Sequence, residues 1–86
     1  MGLYKLEWKT SAERDIRKLA KPVIQRILEA VEALSNEPFP HGSRKLSGSE
    51  GSYRIRVGDY RVIYQFDAKR HAIIICHARH RKDVYR

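Results

Sequence analysis

At 86 residues, with 42% hydrophobic and 33% charged side chains, the chain has the composition of one small folded domain, 1–86, and not of a disordered segment. Its formal net charge of +8 is uneven: residues 1–42 hold 7 Lys/Arg against 6 Asp/Glu, whereas residues 43–86 hold 11 against 4. The longest apolar runs, Val62-Ile63 and Ala72 to Cys76, fall far short of a membrane span, and the first ten residues, charged throughout, are not expected to act as a signal peptide. The single cysteine, Cys76, excludes an internal disulfide and a thiolate metal site, so a cytoplasmic protein without membrane contact is expected.

Leu3 to Lys9 alternates, with Tyr4, Leu6 and Trp8 on one side and Lys5, Glu7 and Lys9 on the other, which predicts a strand with one buried face. Thr10-Ser11-Ala12-Glu13 has the form of a helix capping box, Thr10 as N-cap and Glu13 reaching back. Ala12, Ile16, Leu19 and Ala20 recur at helical spacing, and Lys21-Pro22 ends that helix and opens a second. Ile24, Ile27, Leu28, Val31 and Leu34 carry the second stripe to about Asn36, before Pro38 and Pro40. The two helices are expected to lie antiparallel with their apolar sides on a sheet. Glu37 to Gly51, with two prolines and three of the five glycines, predicts a long loop pinned by Leu46, with Arg44 and Lys45 outward.

The stretch from Ser52 to Tyr64 is the most informative. Alternation on both sides of Gly58-Asp59 predicts two strands joined by a two-residue turn, with Val57 facing Tyr60, Arg56 facing Arg61 and Arg54 facing Ile63. One face then carries Tyr53, Ile55, Val57, Tyr60, Val62 and Tyr64, and the other Arg54, Arg56 and Arg61. Like charges directly opposite each other across a strand pair are destabilising, and a bound polyanion turns that repulsion into attraction. Ala72 to Ala78 is apolar on both sides, which suits an inner strand, and the chain ends in a basic run containing Tyr85. The fold class is therefore α+β, in the order β-α-α-β-β-β, with two helices on a small, mainly antiparallel sheet. Cys76 reads as a buried small hydrophobe. Four histidines at scattered spacing, without acidic or cysteine partners nearby, make no zinc site, and no cofactor is expected.

This order, together with Lys45-Leu46-Ser47-Gly48, Tyr53-Arg54-Ile55-Arg56, Gly58-Asp59-Tyr60-Arg61-Val62-Ile63-Tyr64 and the ending His80-Arg81-Lys82-Asp83-Val84-Tyr85-Arg86, resembles the RelE/ParE toxin superfamily of toxin–antitoxin modules. The ending is similar to the RelE branch, whose members cleave messenger RNA in the ribosomal A site; the ParE branch acts on DNA gyrase. The resemblance implies a metal-independent endoribonuclease in which the ribose 2′-oxygen attacks the adjacent phosphorus. It also implies a RelB-like cognate antitoxin that either covers the basic face or displaces the C-terminal element, and a toxin monomeric when free. The alternatives are a gyrase inhibitor and a non-catalytic module that holds RNA or antitoxin.

By the same resemblance, Arg61 steadies the scissile phosphate, Arg81 or Arg79 serves the leaving group, and Tyr85 stacks on a base. Counting back from Val84-Tyr85 favours Arg81. Arg54 and Arg56 stand where well-known relatives have lysines, one of them the base. A guanidinium is not deprotonated in proteins, so Arg56 binds phosphate and does not accept the proton. His77 and His80 are the nearby groups of suitable unperturbed pKa, and His80, beside Arg81, is the favoured candidate. Arg44, Lys45, Arg54, Arg79 and Lys82 are expected to contact the RNA.

Overall fold

The computed structural model describes residues 3–46 and 51–84. Tyr85, the expected stacking residue, and the Ser47-Gly48 part of the loop motif lie outside them. The chain runs β1 (Lys5–Trp8), α1 (Thr10–Arg17), α2 (Lys21–Leu34), β2 (Arg44–Lys45), β3 (Ser52–Val57), β4 (Tyr60–Asp67), β5 (Ala72–His80) and α3 (Arg81–Val84). The five strands form one sheet in the order β1-β5-β4-β3-β2, antiparallel except where β1 pairs with β5. Two helices on a mixed sheet is the expected α+β arrangement. Among the described residues no helix is long and apolar enough to cross a membrane.

The core lies between the helices and one face of the sheet. Ala12 of α1 and Ile27, Val31 and Leu34 of α2 pack with Ile55, Val62, Tyr64, Ile73, Ile75 and Ala78. At about 25 cal/mol per Å² of apolar area, it is this buried face that holds so small a domain together. Tyr64 is fully buried, and its hydroxyl donates to the Pro38 carbonyl at 2.7 Å, tying the long loop to the sheet. Burial pushes its pKa up to about 12, aided by Tyr53 and opposed by a hydrogen bond with Ser43.

Four details differ from the sequence reading. The Thr10 capping box does not form: Lys9, still extended, is the N-cap, no side chain caps the helix, and the Lys9 carbonyl accepts from the Ala12 and Glu13 N–H groups. Leu19 and Ala20 fall outside α1, because the chain turns at Lys18 and is extended again at Ala20 before α2. The long loop contains β2, whose residues pair Arg44 with Arg54 and Lys45 with Tyr53. Both β2 side chains are exposed, so no hydrophobic alternation marked it. The basic ending forms the short α3, held to the hairpin by the Arg81 N–H donating to the Asp59 carbonyl at 2.8 Å.

Candidate nucleic-acid interface

The β3–β4 hairpin has the expected register: Val57 faces Tyr60, Arg56 faces Arg61 and Arg54 faces Ile63. Gly58 has φ +61°, the positive value required at the first loop position of a type II′ turn. A β-carbon there would also sit 3.4 Å from the Arg26 guanidinium, which reaches the turn from α2.

Between β4 and β5 the register shifts. Ile63 faces His77 while Tyr64 faces Ile75, which leaves Cys76 as the extra residue of a β-bulge. The bulge reverses which residues of β5 face the core. Ile73 and Ile75 belong to the core before it, and Ala78 after it. His77 and Arg79 are thereby placed on the opposite face, with Arg61. Burial raises the Cys76 pKa, outweighing nearby Lys9. The thiol is thus a packed hydrophobe, as expected.

The result is a cationic face. Arg61 is flanked by Arg56 on β3 and by Arg79 on β5, so three arginines stand in one row across three strands. Arg44 faces Arg54 on the same side nearer the sheet edge. Arg61, at the centre, is only 5% exposed. Burying a guanidinium is costly, and like charges in register repel, so packing alone does not select this arrangement. Arg56, Arg61 and Arg81 line a recess of about 130 Å³ together with Gly58 and Asp59 of the turn. By liquid volume that is room for roughly four waters, the scale of a phosphodiester group.

Arg79, the other candidate from the chain end, is differently held. Its Nε lies 3.4 Å from Asp15 Oδ2 of α1, at the edge of the sheet. Arg81 instead lines the recess, and Lys82 is exposed beside it on α3. Among the described residues no carboxylate comes within ion-pair distance of Arg54, Arg56 or Arg81, whereas Arg70, away from the row, pairs with Glu7 and Asp67.

His80 is not brought to the recess of Arg56, Arg61 and Arg81. It faces Tyr60, edge-on at 5.2 Å between ring centroids, on the helix side of the sheet. Its Nδ1 accepts from the Lys82 N–H at 3.3 Å, so the neutral ring carries its proton on Nε2, without a lone pair there to receive another. It lines a larger groove of about 490 Å³ with Lys18, Leu19, Tyr60, Asp15 and Arg79, and not the recess of Arg56, Arg61 and Arg81. The expectation that His80 serves as base is corrected accordingly.

Sequence reasoning missed Asp15 and the part it plays at the sheet edge. Where β1 stops, α1 takes over the edge of β5: Ser11 Oγ donates to the Cys76 carbonyl at 2.7 Å, and Asp15 Oδ2 accepts the Ala78 N–H at 3.2 Å. Four helical residues rise about 6 Å and two strand residues about 6.6 Å, so this i,i+4 pair matches two successive backbone groups of β5. The available signal was a polar pair, Ser11 and Asp15, immediately before the apolar pair Ala12 and Ile16.

Comparison with known proteins places this geometry. Residues 6–85 match the model of the ParE toxin family of type II toxin–antitoxin systems. Toxin RelG of Mycobacterium tuberculosis is 32% identical over 84 residues, covering 96% of this chain and 97% of that protein. Toxin RelE of the same organism is 34% identical over 77 residues, 88% of this chain and 79% of that protein. Among solved structures, the RelE–RelB complex of Pyrococcus horikoshii superposes with a TM-score of 0.81 at 32% identity, covering 92% of this chain and 96% of that one.

Proposed function

This chain belongs to the ParE toxin family of type II toxin–antitoxin systems, and from that premise we propose that it cuts messenger RNA at the ribosome. It is a RelE-like toxin of such a module. The observation that carries the finer reading is the row Arg56–Arg61–Arg79, with Arg81 brought to the same recess by α3. A ribose–phosphate chain supplies negative charge to that row.

In the proposed reaction the 2′-oxygen of one nucleotide attacks its own 3′-phosphorus, the bond to the 5′-oxygen breaks, and a 2′,3′-cyclic phosphate and a 5′-hydroxyl remain. Arg61 and Arg56 hold the non-bridging oxygens and take up the charge that grows on the phosphorane, a task suited to the planar guanidinium fork. Arg81 stabilises the departing 5′-oxygen. The scheme draws its positive charge from guanidinium groups and uses no metal. Arg54, Arg44 and Lys82 receive flanking phosphates, whereas Lys45, expected to do the same, pairs with Tyr53 on the other face of the sheet and is left out of the scheme; Tyr85 stacks on a neighbouring base, a contact worth about 1–3 kcal/mol. Arg79 contributes field from the sheet edge.

As a toxin of this class the protein works with a cognate antitoxin, as RelE does with RelB in the Pyrococcus horikoshii complex. An acidic antitoxin segment over the basic half answers the +7 of residues 43–86, and the pairing weakens with salt to the extent that it is electrostatic. The free toxin is monomeric and acts in the cytoplasm, in the ribosomal A site.

Brief induction in growing cells followed by mapping of RNA ends tests the reading. New 5′-hydroxyl ends within translated messages, absent for Arg61→Ala, are expected. Growth arrest with intact messages contradicts it and favours a gyrase-directed toxin.

A further inference from the structure

A row of arginines leaves the reaction without a proton acceptor. Neither Arg56 nor Arg61 can surrender its proton at neutral pH, and His80 lies on the wrong face. Another group on the arginine face has what is missing. His77 stands on β5 directly opposite Ile63, so it is the diagonal neighbour of Arg61, roughly 7–8 Å away along the pleat and within side-chain reach. Its side chain is one-third exposed, at 33%.

The proton on its ring is fixed by α1. His77 Nδ1 lies 3.2 Å from Asp15 Oδ2, and the same oxygen accepts from the Ala78 N–H and lies near Arg79 Nε. An ionised carboxylate only accepts, so Nδ1 is the protonated nitrogen and the neutral ring keeps its lone pair on Nε2. Among the described residues Nε2 has no hydrogen-bond partner. The two histidines therefore carry opposite tautomers on opposite faces. His80 holds its proton on Nε2 behind the sheet, whereas His77 offers a basic Nε2 on the side of Arg61.

We infer that His77, oriented by Asp15, is the general base that takes the 2′-hydroxyl proton. This inference rests on the ribonuclease reading above. With the scissile phosphate held by Arg61, the preceding ribose lies over Ile63, between Arg54 and His77. Nε2 removes the 2′-proton as the 2′-oxygen bonds to phosphorus. The bond from phosphorus to the 5′-oxygen breaks, and that oxygen, beside Arg81, takes a proton from water. The hydroxide so formed is neutralised by the proton that the imidazolium releases, so the step is balanced without a further reactant. The charged groups around His77 are Asp15 from α1, Arg79 along β5, and Arg61 and Arg54 across the sheet. Asp15 is a positioning residue, since it reaches the substrate only through His77.

The test uses the purified toxin on ribosomes carrying a defined message, with antitoxin binding as the check that each variant is folded. For the wild type, cleavage is expected to rise with pH through the range where imidazole titrates, roughly pH 5 to 8, and then level. His77→Ala should lose about 100-fold or more in cleavage rate while still binding antitoxin. Added imidazole should restore much of that loss, and should do nothing for Arg61→Ala. His77→Gln, which can still donate to Asp15 but cannot take a proton, should be as inactive as His77→Ala. A His77→Ala toxin that cleaves at the wild-type rate, or a His77→Gln toxin that recovers it, overturns the assignment, as does a loss that imidazole does not relieve. A wild-type toxin that leaves the message intact defeats the ribonuclease reading itself, an outcome visible before any variant is compared.

Discussion

On one face of the β3–β4 hairpin, Ile55, Val62 and Tyr64 are sealed beneath the helices; on the other, Arg56 and Arg61 face each other in register and Arg79 extends their row. The same backbone and the same ladder hydrogen bonds serve both. The core face follows the rule that apolar area leaves water, and each of its residues lowers the free energy of the folded chain. The arginine face places like charges in register across the strands, against the rule that such pairs repel. The difference separates residues that packing explains from residues that it does not.

The largest expected effect falls on the core. Ile73→Ala should cost roughly 2–5 kcal/mol in chemical denaturation, because the space it leaves under the helices cannot collapse fully. Whatever protein remains folded should still cleave. Arg61→Ala reverses that pattern: cleavage falls by about 100- to 1,000-fold, some 2.7–4 kcal/mol in the transition state, while the melting temperature falls by less than in Ile73→Ala. A large stability loss on Arg61→Ala would erase the contrast between the faces.

A smaller effect sharpens the core side. The Tyr64 hydroxyl is neutral to about pH 12 when folded but ionises near pH 10 when the chain unfolds. The folded chain thus binds more protons between those values. Its contribution is fully present below about pH 10 and is lost as pH climbs towards 12, at about 1.4 kcal/mol per unit, or roughly 2–3 kcal/mol in all. Denaturant titrations at stepped alkaline pH should show this loss, and Tyr64→Phe should remove it while forfeiting about 1 kcal/mol from the bond to Pro38. The smallest change is at the turn joining the two faces. Gly58→Ala places a β-carbon at positive φ against Arg26 and should cost about 1–2 kcal/mol in thermal or denaturant melting.

The hairpin was legible because period-2 alternation and a Gly-Asp turn fix register together, so every facing pair from Val57–Tyr60 to Arg54–Ile63 could be named beforehand. The order of the main helices and strands was legible for the same reason. β2 was not, because Arg44 and Lys45 pair through the backbone and bury neither side chain. Nor was the face of each histidine. Counting by twos from Ile73 and Ile75 puts His77 on the core side and His80 outside, and nothing in Ile-Ile-Ile-Cys-His-Ala announces the bulge at Cys76 that reverses them. Asp15 escaped notice because its partners lie more than sixty positions along the chain, and only the crossing of α1 over the end of β5 joins them.

The most direct test of the arginine face is a reconstituted one, with purified toxin, programmed ribosomes and a message whose ends are read at single-nucleotide resolution. The account predicts one cut within the A-site codon, bearing a 2′,3′-cyclic phosphate and a 5′-hydroxyl, lost in Arg61→Ala although that variant still binds its antitoxin. An Arg61→Ala toxin that cuts as the wild type does would contradict it.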